Sequence, residues 1–528
     1  MILPSSVLAQ ADHRFSKNNR LIWEHMLPIA LCIIYLVAVL YVGQMYSIGS
    51  YGNSDFYSMY APDADRIASG RFPEKSVSGP GYPVLLMAIS KLTRDHFISG
   101  KLISAIAASL CGLVSFYLFR RLFGYRAAML ALPIIFVSGE FALFSIDPAT
   151  DIMFLLLCLM VILIFIHKEM RPWPKAALTG ALGGLAYLTR SNGLFLPVTC
   201  LTAVVVFNSL EVPLLRRLKI AAVHAFCFLA TIAPWLLLNY KYHGSTNKVY
   251  LNMAVEFYGF EKTWDGIMQA ATMFHSFSDV VLYDPKKFVL HYFSHIFVTF
   301  LKSLSSEFLV APLGVLAIVS IPVVLIKGRR KEVWIVVLSV LVYFLLMNFS
   351  IWESRYYFYV RVCYIGLACN LIVLAADWLT SKGVLTKGIA QLGMVCAGLL
   401  VFSISAIGSG KDIKRLIAEQ PYELFAASEY LKSVSPEGVR IMARKPHLAY
   451  LSNGIQVFFP RAKSLEELRD ALKKTPADYL VYDSLALKLR PELKILADQV
   501  NTIPWLRPVY SDLPGSLVIY RVETSNSY

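Results

Sequence analysis

Charged residues are scarce in this chain of 528 residues, since they make up 16% of it whereas hydrophobic residues make up 57%. Such a composition is too apolar for an ordinary soluble protein. The eight cysteines all lie in apolar runs, and none forms a CxxC pair. We therefore expect neither a disulfide framework nor a zinc site.

Nucleotide-binding motifs are also missing. No P-loop or dinucleotide fingerprint follows a predicted strand, which excludes ATP, NAD and a nucleotide-sugar donor. Gly180, Gly183 and Gly184 instead indicate close packing of membrane helices. His291 and His295 stand one helical turn apart but lack the glutamate of an HExxH pattern. We interpret them as packing or interfacial residues, and we expect no cofactor. Metal use stays open, since Asp63, Asp65 or Glu74 could contribute to a divalent site, but the lone Asp55 does not support one.

Long apolar runs fill the first three quarters of the chain and predict a polytopic α-helical membrane protein. A hydrocarbon core about 30 Å thick needs roughly 20 apolar residues for each helical crossing. The runs predict about eleven transmembrane helices, near residues 22–46, 98–119, 127–146, 151–167, 176–190, 193–209, 220–239, 308–326, 333–350, 359–377 and 387–407.

The formal net charge of +15 could indicate a nucleic-acid partner, but the position of the basic residues argues against one. Clusters such as Arg120, Arg121 and Arg126 lie in short connections between apolar runs, as cytoplasmic segments do under the positive-inside rule. We predict a multi-pass protein of the cytoplasmic membrane, with a cytoplasmic N-terminal tail at 1–20. Residues 21–409 form the transmembrane domain in this prediction, with outer loops near 47–97 and 241–307.

The last part of the chain, residues 410–528, is predicted to be a small extracytoplasmic α/β domain. Its charge content rises, and short strand-like and helical runs alternate. Ser464 and Glu467 form a capping-box pattern. The predicted strands are Val439–Ala443, Tyr479–Tyr482 and Leu517–Val522, and the predicted helices are Tyr422–Ser433, Ser464–Lys474 and Arg490–Gln499.

Acidic residues at the outer ends of membrane helices are candidates for chemistry, because burying a charge there is costly. Asp55 follows the first crossing, and Asp151 opens the fourth. Each has a structural alternative, since Asp55 or the adjacent Ser54 could cap a short helix and Asp151 could satisfy a helix dipole. Asp147, a turn former before Pro148, is a secondary candidate. Two acids that converge could yield a general base.

Cations on the same side complete the predicted constellation. Arg190 ends the fifth crossing, Lys241 follows the seventh, and Arg355 precedes the tenth. A single arginine at an interface can simply snorkel or pair with a neighbour such as Glu353. Several cations opposite two acids would suit a phosphate group at the bilayer surface. Aromatic residues beside them, such as Tyr356, are typical of an interfacial belt, and a few could stack on a sugar ring.

The order of these pieces resembles the GT-C glycosyltransferases of the family that includes protein O-mannosyltransferases and lipid A aminoarabinose transferases. The resemblance spans most of residues 20–380. It is carried by Asp55 after the first crossing, Ala68-Ser-Gly-Arg-Phe-Pro73, Gly79-Pro-Gly-Tyr-Pro83, Arg121-Leu-Phe-Gly-Tyr-Arg126, the acid that opens the fourth helix, Gly180 to Arg190, Pro234 to Gly244, and Arg355-Tyr356.

The resemblance implies a GT-C-like enzyme that moves a sugar from a polyprenyl-phosphate carrier to a lipid, glycan or protein acceptor outside the cytoplasmic membrane, with inversion. It implies that Asp55 is the general base and that Asp151 orients the acceptor or shares that role. Arg190, Lys241, Arg355 and Tyr356 would bind the donor phosphate. Secondary or acceptor-side positions would be Asp63, Glu74 and Asp147.

The chain departs from the family at one position, because Phe56 follows Asp55 where members commonly have Asp-Glu. The resemblance therefore does not fix the acceptor. Two other classes stay open on sequence alone. A transporter or flippase would show inverted repeats with broken helices, and no internal duplication is visible. A non-catalytic scaffold would not need acids and arginines at the outer helix ends.

Overall fold

The computed structural model describes residues 5–52, 54–73, 79–243, 249–310, 312–328, 331–435, 438–497, 503–512 and 516–523. Its first half is almost wholly helical. Helices α1 to α10 are Ser5–Gly43, Ala61–Ala68, Gly81–Thr93, His96–Phe123, Tyr125–Phe136, Gly139–Ile146, Thr150–Phe165, Pro172–Thr189, Phe195–Val205 and Leu214–His243. A π-helical turn, Phe56–Tyr60, precedes α2, and a 3₁₀ turn, Ser191–Leu194, precedes α9.

The second half continues with helices α11 to α18, which are Tyr250–Tyr258, Trp264–Met273, Phe277–Tyr283, Pro285–Ser303, Leu313–Gly328, Lys331–Met347, Phe358–Ser381 and Lys387–Ala418. A 3₁₀ turn, Ser354–Tyr357, lies directly before α17. We call residues 44–95 the first connecting segment and residues 249–310 the long connecting segment. Each predicted crossing overlaps at least one helix, but the number that span a membrane stays a prediction.

Five helices of the described chain are long and apolar enough to cross a membrane, or six if one bent pair counts as a single span. The bent pair is α5 and α6, which meet at 61° where one continuous crossing, 127–146, was predicted. Pro133 lies inside α5 and removes a backbone donor, and Gly139 takes a positive φ of 34° at the start of α6. Both features favour a break over a continuous helix.

The C-terminal domain, residues 423–523 as described, contains helices α19 to α22 and a mixed sheet with strand order β2-β1-β3-β5-β4. The helices are Glu423–Val434, His447–Leu451, Leu465–Lys474 and Ser484–Leu489, with a 3₁₀ segment at Pro491–Ala497. Strands β1 to β5 are Arg440–Ala443, Ile455–Phe458, Tyr479–Asp483, Leu506–Ser511 and Leu517–Val522. The three predicted strands are confirmed, whereas β2 and β4 are additional. Helix α18 runs to Ala418, so the boundary at 409 and 410 stays a prediction.

The two faces of this sheet pack against different partners, because successive side chains of a strand point to opposite sides. Ile441, Val481 and Ile519 face a core that contains residues of α19 and α20 together with Phe56, Tyr60 and other residues of the first connecting segment. The alternate positions face α21, α22 and the 3₁₀ segment, in a core that includes Met442, Leu480, Tyr482, Val518, Tyr520, Leu468 and Leu472. The C-terminal domain is therefore joined to the membrane part through a shared hydrophobic core.

Close helix contacts set the positions of the helix ends that carry the candidate residues. A Cβ at Gly180 of α8 would lie 2.4 Å from the backbone oxygen of His224 on α10, and one at Gly184 would lie 2.6 Å from Thr231. The packing interpretation of these glycines is thus confirmed. A Cβ at Gly79 would likewise lie 2.2 Å from the backbone oxygen of Leu188, so the first connecting segment passes directly against the end of α8.

Candidate functional site

The candidate acids and arginines come from four separate helix ends. Asp55 precedes the π-helical turn, Asp151 lies in the first turn of α7, Arg190 follows α8, and Arg355 lies in the 3₁₀ turn before α17. Asp55 occupies the N-cap position, yet its side chain makes no capping hydrogen bond. The capping alternative therefore does not account for the Asp55 carboxylate.

Asp151 and Arg190 form a buried ion pair. The Arg190 guanidinium lies 2.8 Å from the Asp151 carboxylate, and only 4% of the Asp151 side chain and 16% of the Arg190 side chain are exposed. Arg190 also donates a hydrogen bond to the Thr150 hydroxyl at 3.0 Å. Charge-assisted hydrogen bonds of this kind are strong and directional. The pair fixes the start of α7 against the end of α8.

Tyr356 lies close to two guanidinium groups. The Arg190 guanidinium carbon is 4.8 Å from the centre of the Tyr356 ring, and that of Arg355 is 5.3 Å away. Arg355 also lies 5.8 Å from the Phe144 ring. Cation–π contacts hold an arginine in place without neutralising its charge.

Arg355 interacts electrostatically with Asp151 and Asp55. However, it makes no hydrogen bond or ion pair to any residue that the structure describes. Its donors are thus available to a ligand. We call Asp55, Asp151, Arg190, Arg355 and Tyr356 the acid–arginine cluster. Such a cluster can hold an anionic group beside a carboxylate base.

Tyr60 is a buried residue that connects the members of this cluster. It forms a side-chain hydrogen bond with Thr150 and interacts electrostatically with Asp55, Arg190 and Asp151. Burial, followed by the charge of Asp55, raises the pKa of Tyr60 to about 12. Tyr60 is therefore a neutral hydrogen-bond donor at physiological pH. No local sequence pattern distinguishes Tyr60 from the other tyrosines, since the chain contains 29 of them.

Lys445 brings a cation to the cluster from the C-terminal domain. Its ammonium lies 3.5 Å from the Ser54 hydroxyl and is attracted electrostatically to Asp55. Burial, and then the neighbouring charge of Arg444, lowers the pKa of Lys445. Sequence reasoning missed Lys445 because it is nearly four hundred positions away from Asp55. Its position depends on how the domain packs on the first connecting segment.

A second buried arginine supports the turn that carries Arg355. Arg361 is 2% exposed and donates a hydrogen bond of 2.6 Å to the Ser354 hydroxyl. It also donates to Glu140 of α6 at 3.3 Å. These contacts tie the 3₁₀ turn to the bent α5–α6 pair. Arg361 therefore positions Arg355 and Tyr356.

Four other predicted residues are placed as follows. Lys241 is exposed and lies 5.8 Å from the Tyr242 ring, and it makes no contact with the cluster among the described residues. Asp147 is buried and accepts a hydrogen bond of 3.0 Å from the Tyr46 hydroxyl, which suits its role as a turn former. Asp63 is buried in the first turn of α2. Glu74 lies outside the described residues.

Comparison with known proteins agrees with this architecture. Residues 77–238, which contain Asp151 and Arg190, match the family model described as dolichyl-phosphate-mannose-protein mannosyltransferase. No curated protein sequence matches the chain.

Solved structures are similar in fold over nearly the whole chain. ArnT from Cupriavidus metallidurans bound to undecaprenyl phosphate is 14% identical with a TM-score of 0.55, and the match covers 95% of this chain and 98% of that one. The Archaeoglobus fulgidus oligosaccharyltransferase in complex with Zn and sulfate is 13% identical with a TM-score of 0.56, covering 93% and 74%. AglB from the same archaeon, in complex with an inhibitory peptide and a dolichol-phosphate, is 12% identical with a TM-score of 0.53, and the match covers 94% of this chain and 75% of that one.

The fold and the family match together define the class of this protein. It has the GT-C fold, and it is a membrane glycosyltransferase that uses a lipid-phosphate-linked sugar donor. The family match favours this class over the transporter and the scaffold. The structural likeness itself, at such low identity, speaks to the fold alone.

Proposed function

We propose that this protein transfers a sugar from a polyprenyl phosphate to a lipid, glycan or protein acceptor at the outer face of the cytoplasmic membrane, with inversion at the anomeric carbon. One observation carries the proposal. Arg355 is held by aromatic rings, is paired with no described carboxylate, and lies within electrostatic reach of Asp55 and Asp151. An arginine placed in this way suits an anionic ligand.

The donor phosphate is the leaving group in this mechanism. Negative charge grows on it as the bond from its oxygen to the anomeric carbon breaks. Arg355 and Arg190 both contact the Tyr356 ring and would stabilise that charge through fixed donors. A phosphate monoester leaves without strong acid assistance, so the cluster needs cations and not a second proton donor.

Asp55 is the general base in this proposal. Its carboxylate caps no backbone group, whereas the Asp151 carboxylate is engaged by Arg190 at 2.8 Å. Asp55 would take the proton of the acceptor as the acceptor attacks the anomeric carbon from the face opposite the phosphate. Asp151 would then act as a positioning residue that orients Arg190. Tyr60, a neutral donor beside both acids, would hold their orientation.

The proposed partners follow from this chemistry and from the similar structures. ArnT is bound to undecaprenyl phosphate, and AglB to a peptide and a dolichol-phosphate, in structures that share the fold. We assign to this chain the same two kinds of ligand, a lipid phosphate and an acceptor. The acceptor chemistry is left open among lipid, glycan and protein.

The base assignment is tested by Asp55→Asn in purified full-length protein in nanodiscs, with release of polyprenyl phosphate as the readout. Removing a general base is expected to lower the rate by roughly 10²–10⁴. Asp65→Asn is a matched control in the same segment, because 61% of the Asp65 side chain is exposed and it pairs with His96. Transfer by Asp55→Asn at the wild-type rate would show that another group is the base.

A further inference from the structure

Glu256, His291 and His295 converge in the long connecting segment, apart from the acid–arginine cluster. The two histidines lie one turn apart on α14, and Glu256 lies on α11. The sequence places no glutamate beside the histidines, but the fold brings one from another helix. One oxygen of Glu256 is 3.7 Å from Nε2 of His291 and 3.6 Å from Nε2 of His295. The three atoms all lie within 4.8 Å of one another.

These separations match a metal site better than a hydrogen-bonded group. Contacts of 3.6 and 3.7 Å are too long for hydrogen bonds. Zinc binds histidine nitrogen and carboxylate oxygen at about 2.1 Å, and tetrahedral geometry then places the ligand atoms about 3.4 Å apart. The two oxygen-to-nitrogen separations are therefore close to the spacing of zinc ligands.

The surroundings of His295 prepare its Nε2 atom for a metal. Nδ1 of His295 lies 3.1 Å from the backbone oxygen of Asn348, which can only accept a hydrogen bond. Nδ1 must therefore carry the proton, and the lone pair of Nε2 can face the carboxylate. Histidines that bind metals usually donate their second ring N–H in this way. Asn348 follows α16, so this bond also joins α14 to the connection that leads to Arg355.

Lys262 pairs with only one of the two oxygens of the buried Glu256 carboxylate. Its ammonium lies 2.6 Å from one oxygen, while the histidines face the other. His291 Nε2 is buried and has no hydrogen-bond partner among the described residues. The ring of His291 also borders an open depression of about 430 Å³ lined by Asp284, Lys286, Lys287, Leu290, His291 and Ser294. This depression gives an ion and a fourth ligand a path from solvent.

We propose that Glu256, His291 and His295 bind one zinc ion, with water as the fourth ligand. Two imidazoles and a carboxylate are a ligand set that zinc accepts. The ion would fasten α11 to α14, and through the Asn348 carbonyl it would hold the connection after α16. The site is independent of the sugar-transfer proposal, because none of its residues contacts the acid–arginine cluster among the described residues.

The test uses full-length protein in nanodiscs, stripped with a chelator and titrated with ZnCl₂ against a chromophoric competitor. Wild type should bind one equivalent, and Glu256→Gln, His291→Ala and His295→Ala should each weaken binding by at least about tenfold. His275→Ala is the matched control, since His275 is an exposed histidine of the same segment. Equal affinity in wild type and the three variants would overturn the proposal.

A second measurement keeps the test decisive if the variants do not fold. X-ray absorption at the zinc edge of loaded wild-type protein should show two imidazole nitrogens and a carboxylate oxygen. Bound zinc should also raise the unfolding temperature of wild type, because a ligand of the folded state stabilises it. A shell without two histidines, or no bound zinc at all, would contradict the assignment.

Discussion

Lys445 supplies charge to the acid–arginine cluster from a separate part of the chain. A buried or half-buried unit charge near a reacting phosphate is worth on the order of 1–2 kcal/mol, which is about tenfold in rate. We predict that Lys445→Met lowers kcat/KM for the lipid-linked donor by about that factor and that Lys445→Arg retains most of the activity. Lys432→Met, at an exposed lysine of α19, is the control. Equal kinetics for Lys445→Met and Lys432→Met would remove Lys445 from the site.

His447 makes the docking of the C-terminal domain sensitive to acid. Nε2 of His447 lies 3.2 Å from the backbone oxygen of Ser50, and its ring lies 4.3 Å from that of Tyr57. Burial, opposed by the Ser50 hydrogen bond, lowers the pKa of His447 from 6.5 to about 3. Between these values the unfolded chain binds a proton that the folded protein does not. Stability is therefore lost as the pH falls below 6.5.

The expected loss from His447 between pH 6.5 and pH 5 is about 2 kcal/mol. Burial raises the pKa of Asp483 and Glu423, so these groups act in the opposite direction. The comparison must therefore be between wild type and His447→Gln. Hydrogen exchange of β1 and β3, corrected for its intrinsic pH dependence, should show a larger loss of protection in wild type. An identical loss in both proteins would show that His447 is not the acid-sensitive group.

Part of the cluster was predictable at the level of single residues. The sequence places four charged residues at helix ends, where burying an unpaired charge costs free energy. The structure brings these residues together; they are Asp55, Asp151, Arg190 and Arg355. Lys241 has the same sequence signature, but it is exposed and lies apart. Hydropathy places a residue at a membrane surface and does not determine which way the side chain points. Tyr60 and Lys445 depend on tertiary packing, which leaves no local pattern.

At the scale of elements, α12 is joined to the C-terminal domain by Asp265, a half-buried acid that pairs with two buried arginines. Asp265 lies 2.9 Å from Arg490 and 3.7 Å from Arg444, whose side chains are 5% and 9% exposed. We predict that Asp265→Ala costs about 3–5 kcal/mol, because it leaves two buried guanidiniums without their carboxylate. Glu261→Ala removes an exposed pair with Arg461 on the same surface and should cost less than about 1 kcal/mol. Equal unfolding midpoints for the two variants would contradict this ranking.

The helical elements follow well from apolar run length, whereas breaks and short strands do not. The break between α5 and α6 depends on the conformation of Gly139 and on Pro133. Glycine and proline also occur inside continuous membrane helices, so their presence alone does not predict a break. Strand β2 is only four residues long. Strand β4 contains Pro508, which is tolerated because β4 lies at the sheet edge. These strands form because the neighbours β1 and β5 are already in place.

At the scale of the whole molecule, the cluster is built from two bodies that share one hydrophobic core. Asp55 comes from the first connecting segment, and Asp151, Arg190 and Arg355 come from the ends of apolar helices or the turns beside them. The C-terminal domain packs on the first connecting segment and adds Lys445. Composition predicted the membrane class, and the order of motifs predicted the GT-C fold. The number of crossings and their orientation stay predictions, because length and apolarity alone do not distinguish a spanning helix from a buried one.

The most direct test of the proposed mechanism is a cryo-EM structure of the protein in nanodiscs with a polyprenyl-phosphate sugar or a non-reactive analogue. We expect the phosphate to contact both Arg190 and Arg355 beside Tyr356, with the anomeric carbon open to attack on the side that faces Asp55. A phosphate bound away from both arginines, or an Asp55 carboxylate that faces away from the sugar, would contradict it.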